Sequence, residues 1–277
     1  MTSVPVLKLN NGVEMPQLGF GVFQVPPPET KAAVKTALDA GYRSIDTATA
    51  YGNEAAVGEA LAESGIARDE LFITTKLWNS DQGYDETLRA FDASVAALGL
   101  EQLDLYLIHW PLPARDKYID SWRALEKLYA DGRVRAIGVS NFQPAHLRRV
   151  FDEGTVVPAV NQIELHPYLV QEALRAFDAE HGIATEAWSP LAKGGDLLSE
   201  PAVTAVAERL GRTPAQVVLR WHLQLGNVVI PKSVTPSRVA ENFDLFGFTL
   251  TDADVAALSS LDRGLRTGPD PDTFDVA

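Results

Sequence analysis

The chain has 277 residues, 24 basic and 37 acidic, for a formal charge of 24 − 37 = −13, and it has no cysteine. The acidic balance argues against general affinity for nucleic acid or an anionic membrane, and the lack of thiols excludes disulfides, thiolate metal ligands and cysteine nucleophiles. The amino end shows no basic region followed by an apolar segment, and no run approaches the roughly 18 apolar residues of a membrane span, so a soluble, cytoplasmic, unprocessed protein is expected.

Residues 6 to 20 alternate around Asn10-Asn11-Gly12-Val13, a turn signal between two short strands, and that hairpin is expected to cap the body of the fold. From there apolar β-like runs alternate with amphipathic helical stretches. The runs are Leu18 to Val22, Ser44 to Asp46, Leu71 to Lys76, Leu103 to His109, Val134 to Val139, Ala159 to Ile163, Ile183 to Trp188 and Val228 to Pro231. Between them Thr213-Pro214-Ala215-Gln216 reads as a helix start, and Glu63-Ser64-Gly65, Leu98-Gly99 and Asp131-Gly132 as stops. Runs apolar on both faces indicate a sheet covered on both sides, in a closed barrel or an open doubly wound sheet. Eight strands favour the barrel, and Gly19-Phe20-Gly21 lacks the third glycine of a dinucleotide-binding turn. The expected fold is an α/β, (β/α)8 TIM barrel with an N-terminal β-hairpin cap, one domain over residues 1–277, with an irregular tail from Arg266.

In such a barrel the chemistry gathers at the carboxyl ends of the strands, where the loops converge on one mouth. Those ends carry Asp46, Lys76, His109, Ser140-Asn141, Gln162, Trp188-Ser189 and Lys232-Ser233. Singly, Asp46 reads as a loop cap, His109 as a satisfied core histidine, and Tyr51 and Trp188 as packing. A lysine ending the run Leu71-Phe72-Ile73 needs a carboxylate, and Asp46 is one strand away. Jointly Asp46, Tyr51, Lys76 and His109 form a proton-handling set. A phenol has an ordinary pKa of about 10. An ammonium about 4 Å away, at an effective dielectric near 20, favours the phenolate by roughly 4 kcal/mol, so Tyr51 is expected to fall by up to about three units, toward neutrality. His109 is suited to orienting a substrate oxygen. The set suits protonation of an oxygen on which negative charge grows, as when a carbonyl accepts hydride.

Ser140, Asn141 and Gln162 offer groups that can hold a carboxamide, and Trp188 a flat face for a nicotinamide. Trp78 and Trp110 follow Lys76 and His109 closely and read as substrate walls. The segment Ile230 to Arg238, with Pro236 opening a helix, reads as an anion site for a phosphorylated substrate or a cofactor phosphate. His146, His181 and His222 read as structural, and His166 beside Glu164 lacks the spaced partners of a metal site, so no metal is expected. A Schiff-base role for Lys76 is disfavoured by its acidic neighbour.

Seven motifs carry a family resemblance: Asp46 to Glu54, Thr75 to Trp78, Leu107 to Pro111, Gly138 to Phe142, Asn161 to Pro167, Trp188 to Leu191 and Ile230 to Ser233. In them the chain resembles an aldo-keto reductase, most nearly the bacterial 2,5-diketo-D-gluconate reductases, through Trp188 and the short tail Arg266 to Pro271. The resemblance implies NADPH/NADP+ as cofactor and a small carbonyl compound as substrate, with Tyr51 as general acid in a tetrad with Asp46, Lys76 and His109. It implies cofactor contacts at Gly21, Asp46, Ser140, Asn141, Gln162, Trp188, Ser189 and Leu191. Lys232, Ser233 and Arg238 would face the adenosine phosphate, and Glu241 and Asn242 the adenine. Substrate contacts are implied at Phe23, Tyr51, Trp78, His109 and Trp110. A monomer with an open mouth and broad specificity is expected, and the rival reading is a cofactor-sensing binding protein on the same fold.

Overall fold

The computed structural model describes residues 4–276. Two short strands, β1 (Val6–Lys8) and β2 (Glu14–Pro16), pair antiparallel with Lys8 opposite Glu14, and Asn10-Asn11-Gly12 makes the turn as expected. Eight parallel strands follow: β3 (Phe20–Gly21), β4 (Ser44–Asp46), β5 (Phe72–Leu77), β6 (Leu103–Ile108), β7 (Val134–Ser140), β8 (Val160–Glu164), β9 (Ala184–Trp188) and β10 (Val228–Val229). Each pairs with its neighbour in sequence. Leu18 bridges Val229 in parallel, with Gly19 N donating to Val229 O at 2.9 Å and Val229 N to Gln17 O at 3.0 Å, so the sheet closes.

All eight strand expectations hold to within two residues at every end, and the largest differences lie at the seam. There β3 is short, and Gly19 just ahead of it lies so close to β4 that a Cβ would meet Ser44 Oγ at 2.9 Å. Next to it β10 stops at Val229, just ahead of Pro231, which has no N–H for a ladder. Every residue of β5 and β6 is buried, which fits their mainly apolar composition, and among the polar groups they bury Thr75 is bonded to Glu54, Lys76 to Asp46, and Asp104 to Arg68 and Arg135.

The crossovers are helical: α1 (Pro27–Ala40), α2 (Glu54–Glu63), α3 (Tyr84–Leu98), α4 (Tyr118–Ala130), α5 (Pro144–Glu153) and α6 (Glu172–Glu180) separate β3 through β9. A pair, α7 (Pro201–Leu210) and α8 (Pro214–Gln224), precedes β10, and α9 (Pro236–Phe243) and α10 (Asp252–Ser259) follow it. The expected punctuation is realised: Thr213 and Gln216 form a reciprocal capping box on α8, and Gly99 ends α3 at φ +66°.

Below the mouth the barrel is filled, not hollow. Leu9 and Met15 of the hairpin pack with Phe72, Leu105, Leu107, Ala136, Val160 and Val228, so the hairpin plugs the amino end of the cylinder. The functional end is the other one, and residues 263–276 form no helix or strand and run back across it.

Candidate active site

The structure brings Asp46, Tyr51, Lys76 and His109 to one rim. Asp46 ends β4, and a single 3-10 turn over Thr49–Tyr51 lifts the phenol above it. That turn is tied down from below: Thr47 Oγ1 donates to Asn53 Oδ1 at 2.8 Å, and Asn53 Nδ2 donates to the carbonyls of Val22 and Val25. Lys76, next to last in β5 and with no solvent exposure, donates to Asp46 Oδ1 at 2.6 Å, to Thr47 O at 2.9 Å and to Tyr51 Oη at 3.5 Å. His109 follows β6 directly, its ring centroid 5.9 Å from that of Tyr51.

The electrostatics correct one expectation. Burial raises the Tyr51 hydroxyl more than the Lys76 ammonium lowers it, and Asp46 adds to the rise, so the phenol lies above its ordinary range and not near neutrality. A bare Coulomb argument omits desolvation, which disfavours the phenolate in this pocket. Burial also works against the Lys76 ammonium, but the Asp46 carboxylate and Tyr51 outweigh it and hold the lysine charged. Burial, followed by the Lys76 charge, drops His109 well below the usual histidine range, leaving a neutral imidazole. A neutral imidazole can orient an oxygen but holds no spare proton.

The polar strand ends of β7, β8 and β9 converge beside this set, already bonded to one another. Ser140 Oγ donates to Gln162 O at 2.8 Å. Asn141, held at φ +65°, donates to His109 O at 2.9 Å and accepts from Trp188 Nε1 at 2.8 Å. Gln162 Nε2 reaches two buried carboxyls, Asp46 Oδ2 at 2.9 Å and Glu186 Oε2 at 2.8 Å. Glu186 was missed in the sequence; its only signal was an acid inside the apolar run Ile183 to Trp188.

The anion-binding segment lies beyond β10. Lys232 and Arg238 are exposed and neither is ion-paired among the described residues. Ser233 Oγ accepts from Thr235 N, and Pro236 opens α9 as expected. Glu241 accepts from Thr213 Oγ1 at 2.7 Å and Asn242 is buried. At the other edge Gly21 is buried in β3, Leu191 is half-buried, and Ser189 takes φ +49° in the loop after β9.

Aromatic side chains wall the mouth. Phe23, 47% exposed, stands 5.1 Å from Tyr51; Trp78 lies 5.2 Å from His109; Trp110 lies 6.5 Å from both His109 and Trp188. The tail completes this wall instead of leaving it bare. Phe274 packs on Trp110 at 4.5 Å, Asn79 Nδ2 donates to Val276 O at 2.6 Å, and Arg115 pairs with Asp275. Its anchor is Glu164, which accepts from Thr267 N, Thr267 Oγ1 and Gly268 N. Gly268 is required there, since a Cβ would fall 2.5 Å from the Trp188 ring. Phe274 carried no signal in sequence, because it lies in an aperiodic tail; Glu164 was noted only as a neighbour of His166, and nothing local tied it to the tail.

His222 is buried, within 3.1 Å of Pro190 O through Nε2; His181 Nδ1 lies 2.8 Å from Phe177 O; His146 accepts from Gln143 N at the start of α5. His166 Nε2 pairs with Glu164 at 3.1 Å.

A closed parallel barrel with a buried Asp–Lys–Tyr chain at its carboxyl rim has the form of an enzyme barrel, whose sites gather at that end. Sequence comparison agrees with this class. The profile of the Aldo/keto reductase family matches residues 17–200 and 195–263. An aldo-keto reductase of Mycolicibacterium smegmatis is 57% identical over 271 residues, covering 98% of each chain. The methylglyoxal reductase DkgA of Salmonella typhimurium is 51% identical over 275 residues, covering 99% of each. The crystal structure of a Gox0644 mutant in complex with NADPH superposes with a TM-score of 0.95 at 51% identity, over 99% of this chain and all of that one. The chain belongs to the aldo/keto reductase family.

Proposed function

We propose that the protein reduces small aldehydes, ketones and dicarbonyls with NADPH, methylglyoxal and keto sugars among them, and that Tyr51 delivers the proton. The observation that carries this reading is the Lys76 ammonium, 2.6 Å from Asp46 and 3.5 Å from the Tyr51 hydroxyl, under an aromatic mouth. The NADPH complex of the Gox0644 mutant and the name of the DkgA relative support it.

The residues fit the cofactor. Gln162 Oε1 accepts no hydrogen bond among the described residues, leaving an acceptor for a carboxamide N–H beside Ser140 and Asn141. Lys232 and Arg238 supply unpaired charge near the amino end of α9 for a phosphate, with Ser233 beside them. We assign Gly21, Trp188, Ser189 and Leu191 to the nicotinamide side, and Glu241 and Asn242 to the adenine.

Bound NADPH supplies a hydride. Tyr51 gives its proton to the carbonyl oxygen as charge develops there, and Lys76, held charged by Asp46, offsets part of the burial that makes the phenol a weaker acid. Neutral His109 donates a hydrogen bond to the same oxygen, and Phe23, Trp78 and Trp110 exclude water around the substrate. NADPH consumption measured across aldehydes, dicarbonyls and keto sugars tests the reading. Turnover is expected with several, and no consumption with any of them would sink it.

A further inference from the structure

The interior face of β9 presents, in order from the floor to the rim, Ala184, Glu186 and Trp188, since alternate residues of a strand share a face. Ala184 packs against the plug and Trp188 belongs to the mouth. Glu186, between them, is 1% exposed and forms no ion pair among the described residues. Its Oε2 accepts from Gln162 Nε2 at 2.8 Å, and its Oε1 is buried without any partner among the described residues. The same amide nitrogen donates to Asp46 Oδ2 at 2.9 Å, and Asp46 Oδ1 holds Lys76 at 2.6 Å. Two carboxyls therefore share one amide and one ammonium, and the ammonium belongs to Asp46.

We propose that Glu186 is a positioning residue, a neutral carboxylic acid that closes the chain Glu186–Gln162–Asp46–Lys76–Tyr51 and sets the charge beneath the proton donor. A carboxylate at this depth would set a second negative charge beside Asp46, whereas the acid form accepts from Gln162 through one oxygen and carries none. Burial, followed by the Asp46 charge, pushes the Glu186 carboxyl well up, against smaller opposing effects of Gln162 and Lys76. The ionisable groups that face it are Asp46 from β4, Lys76 from β5 and Tyr51 above them. Its neighbours across the sheet, Gln162 on β8 and Val228 on β10, carry no charge. When Glu186 loses its proton, the added negative charge raises the pKa of both Lys76 and Tyr51. The phenol then keeps its proton to higher pH, which favours carbonyl reduction and opposes alcohol oxidation.

This assignment rests on Tyr51 being the proton donor, and two measurements separate the claims. The first needs neither cofactor nor turnover. In protein labelled at the glutamate carboxyl carbon, the resonance that disappears in Glu186→Gln, or in Glu186→Thr if that variant folds better, is followed with pH. Titration above about pH 6 is expected; titration in the ordinary carboxylate range near 4.3 overturns the assignment. The second is the pH profile of NADP+-dependent alcohol oxidation. Removing the ionisable group should move the alkaline limb to lower pH by about half a unit or more, since Tyr51 no longer feels that charge. A limb that stays in place overturns the coupling to Tyr51. Absence of any turnover in the unmodified enzyme removes the reductase reading, and the coupling with it, while the resonance still reports the state of Glu186.

Discussion

At the scale of single residues, the site is a buried ion pair to which a phenol and an imidazole have been added. Lys76 is wholly buried and Asp46 nearly so, and such a pair is costly to break from one side. Lys76→Met should destabilise the fold by about 3–5 kcal/mol in urea unfolding, because Asp46 is left charged without its cation. Adding Asp46→Asn should recover part of that loss; a double variant as unstable as the sum of the two single ones would show that the charges are not coupled. Tyr51→Phe leaves this pair in place. It should lower kcat by about 100-fold or more while the Kd for NADPH moves by less than about threefold, and a fully active variant would refute the proton-donor role. Asp46, Lys76 and His109 were readable in sequence because each is a polar group ending an apolar run, and Tyr51 because it stands in the loop just beyond Asp46. That burial makes the Tyr51 hydroxyl a weaker acid was not readable, since desolvation depends on what closes over the pocket, and the sequence does not say what does. Glu186 escaped for a related reason: its partner Gln162 is 24 residues away and on another strand.

At the scale of elements, strands and helix ends were readable and the tail was not. Both faces of β5 and β6 are buried, so their composition alone marks them, and Thr213, Gly99 and Gly132 punctuate helices through local backbone chemistry. The segment after Leu261 has no period to read, and its place is decided by Glu164, 103 residues away in sequence from Thr267. Three donors from Thr267 and Gly268 converge on that one carboxylate, joined by His166 at 3.1 Å. Hydrogen bonds to a charged acceptor are worth about 1.5–3 kcal/mol each. Glu164→Gln therefore should loosen the tail: amide exchange at Thr267 and Gly268 should speed by about tenfold or more, with the β6 and β7 amides unchanged. Unchanged exchange at both tail amides would mean that Phe274 on Trp110 and Arg115 with Asp275 hold the strap without Glu164.

At the scale of the whole molecule, eight strands pointed to closure, yet the seam that makes it is short, the bridge from Leu18 to Val229, 211 residues apart, and the bond from Gly21 N to Pro231 O. No local pattern encodes such a contact. Closure does bury ionisable groups in the cylinder and behind it, and this makes stability depend on pH in a direction that can be worked out. Burial lowers His222 to about 3, and the unfolded chain restores it to about 6.5. Because the folded value is the depressed one, the neutral histidine is tolerated in full above about pH 6.5, and stability is lost as pH falls from there toward 3. His109, also lowered by burial, adds to that loss. Asp178 works in the opposite sense: burial raises it to about 7 despite bonds from Asn161 and Thr185, so stability is lost as pH rises from about 4 through 7. A titrating histidine changes the unfolding free energy by up to about 1.4 kcal/mol per pH unit, so between pH 6.5 and 4.5 His222 accounts for a loss of about 2–3 kcal/mol. His222→Gln, whatever its stability at pH 7, should show an acid-side decline shallower by that amount when urea unfolding is measured at both pH values. A variant that declines as steeply as the unmodified protein would place the acid sensitivity in the carboxylates and not in the buried imidazole.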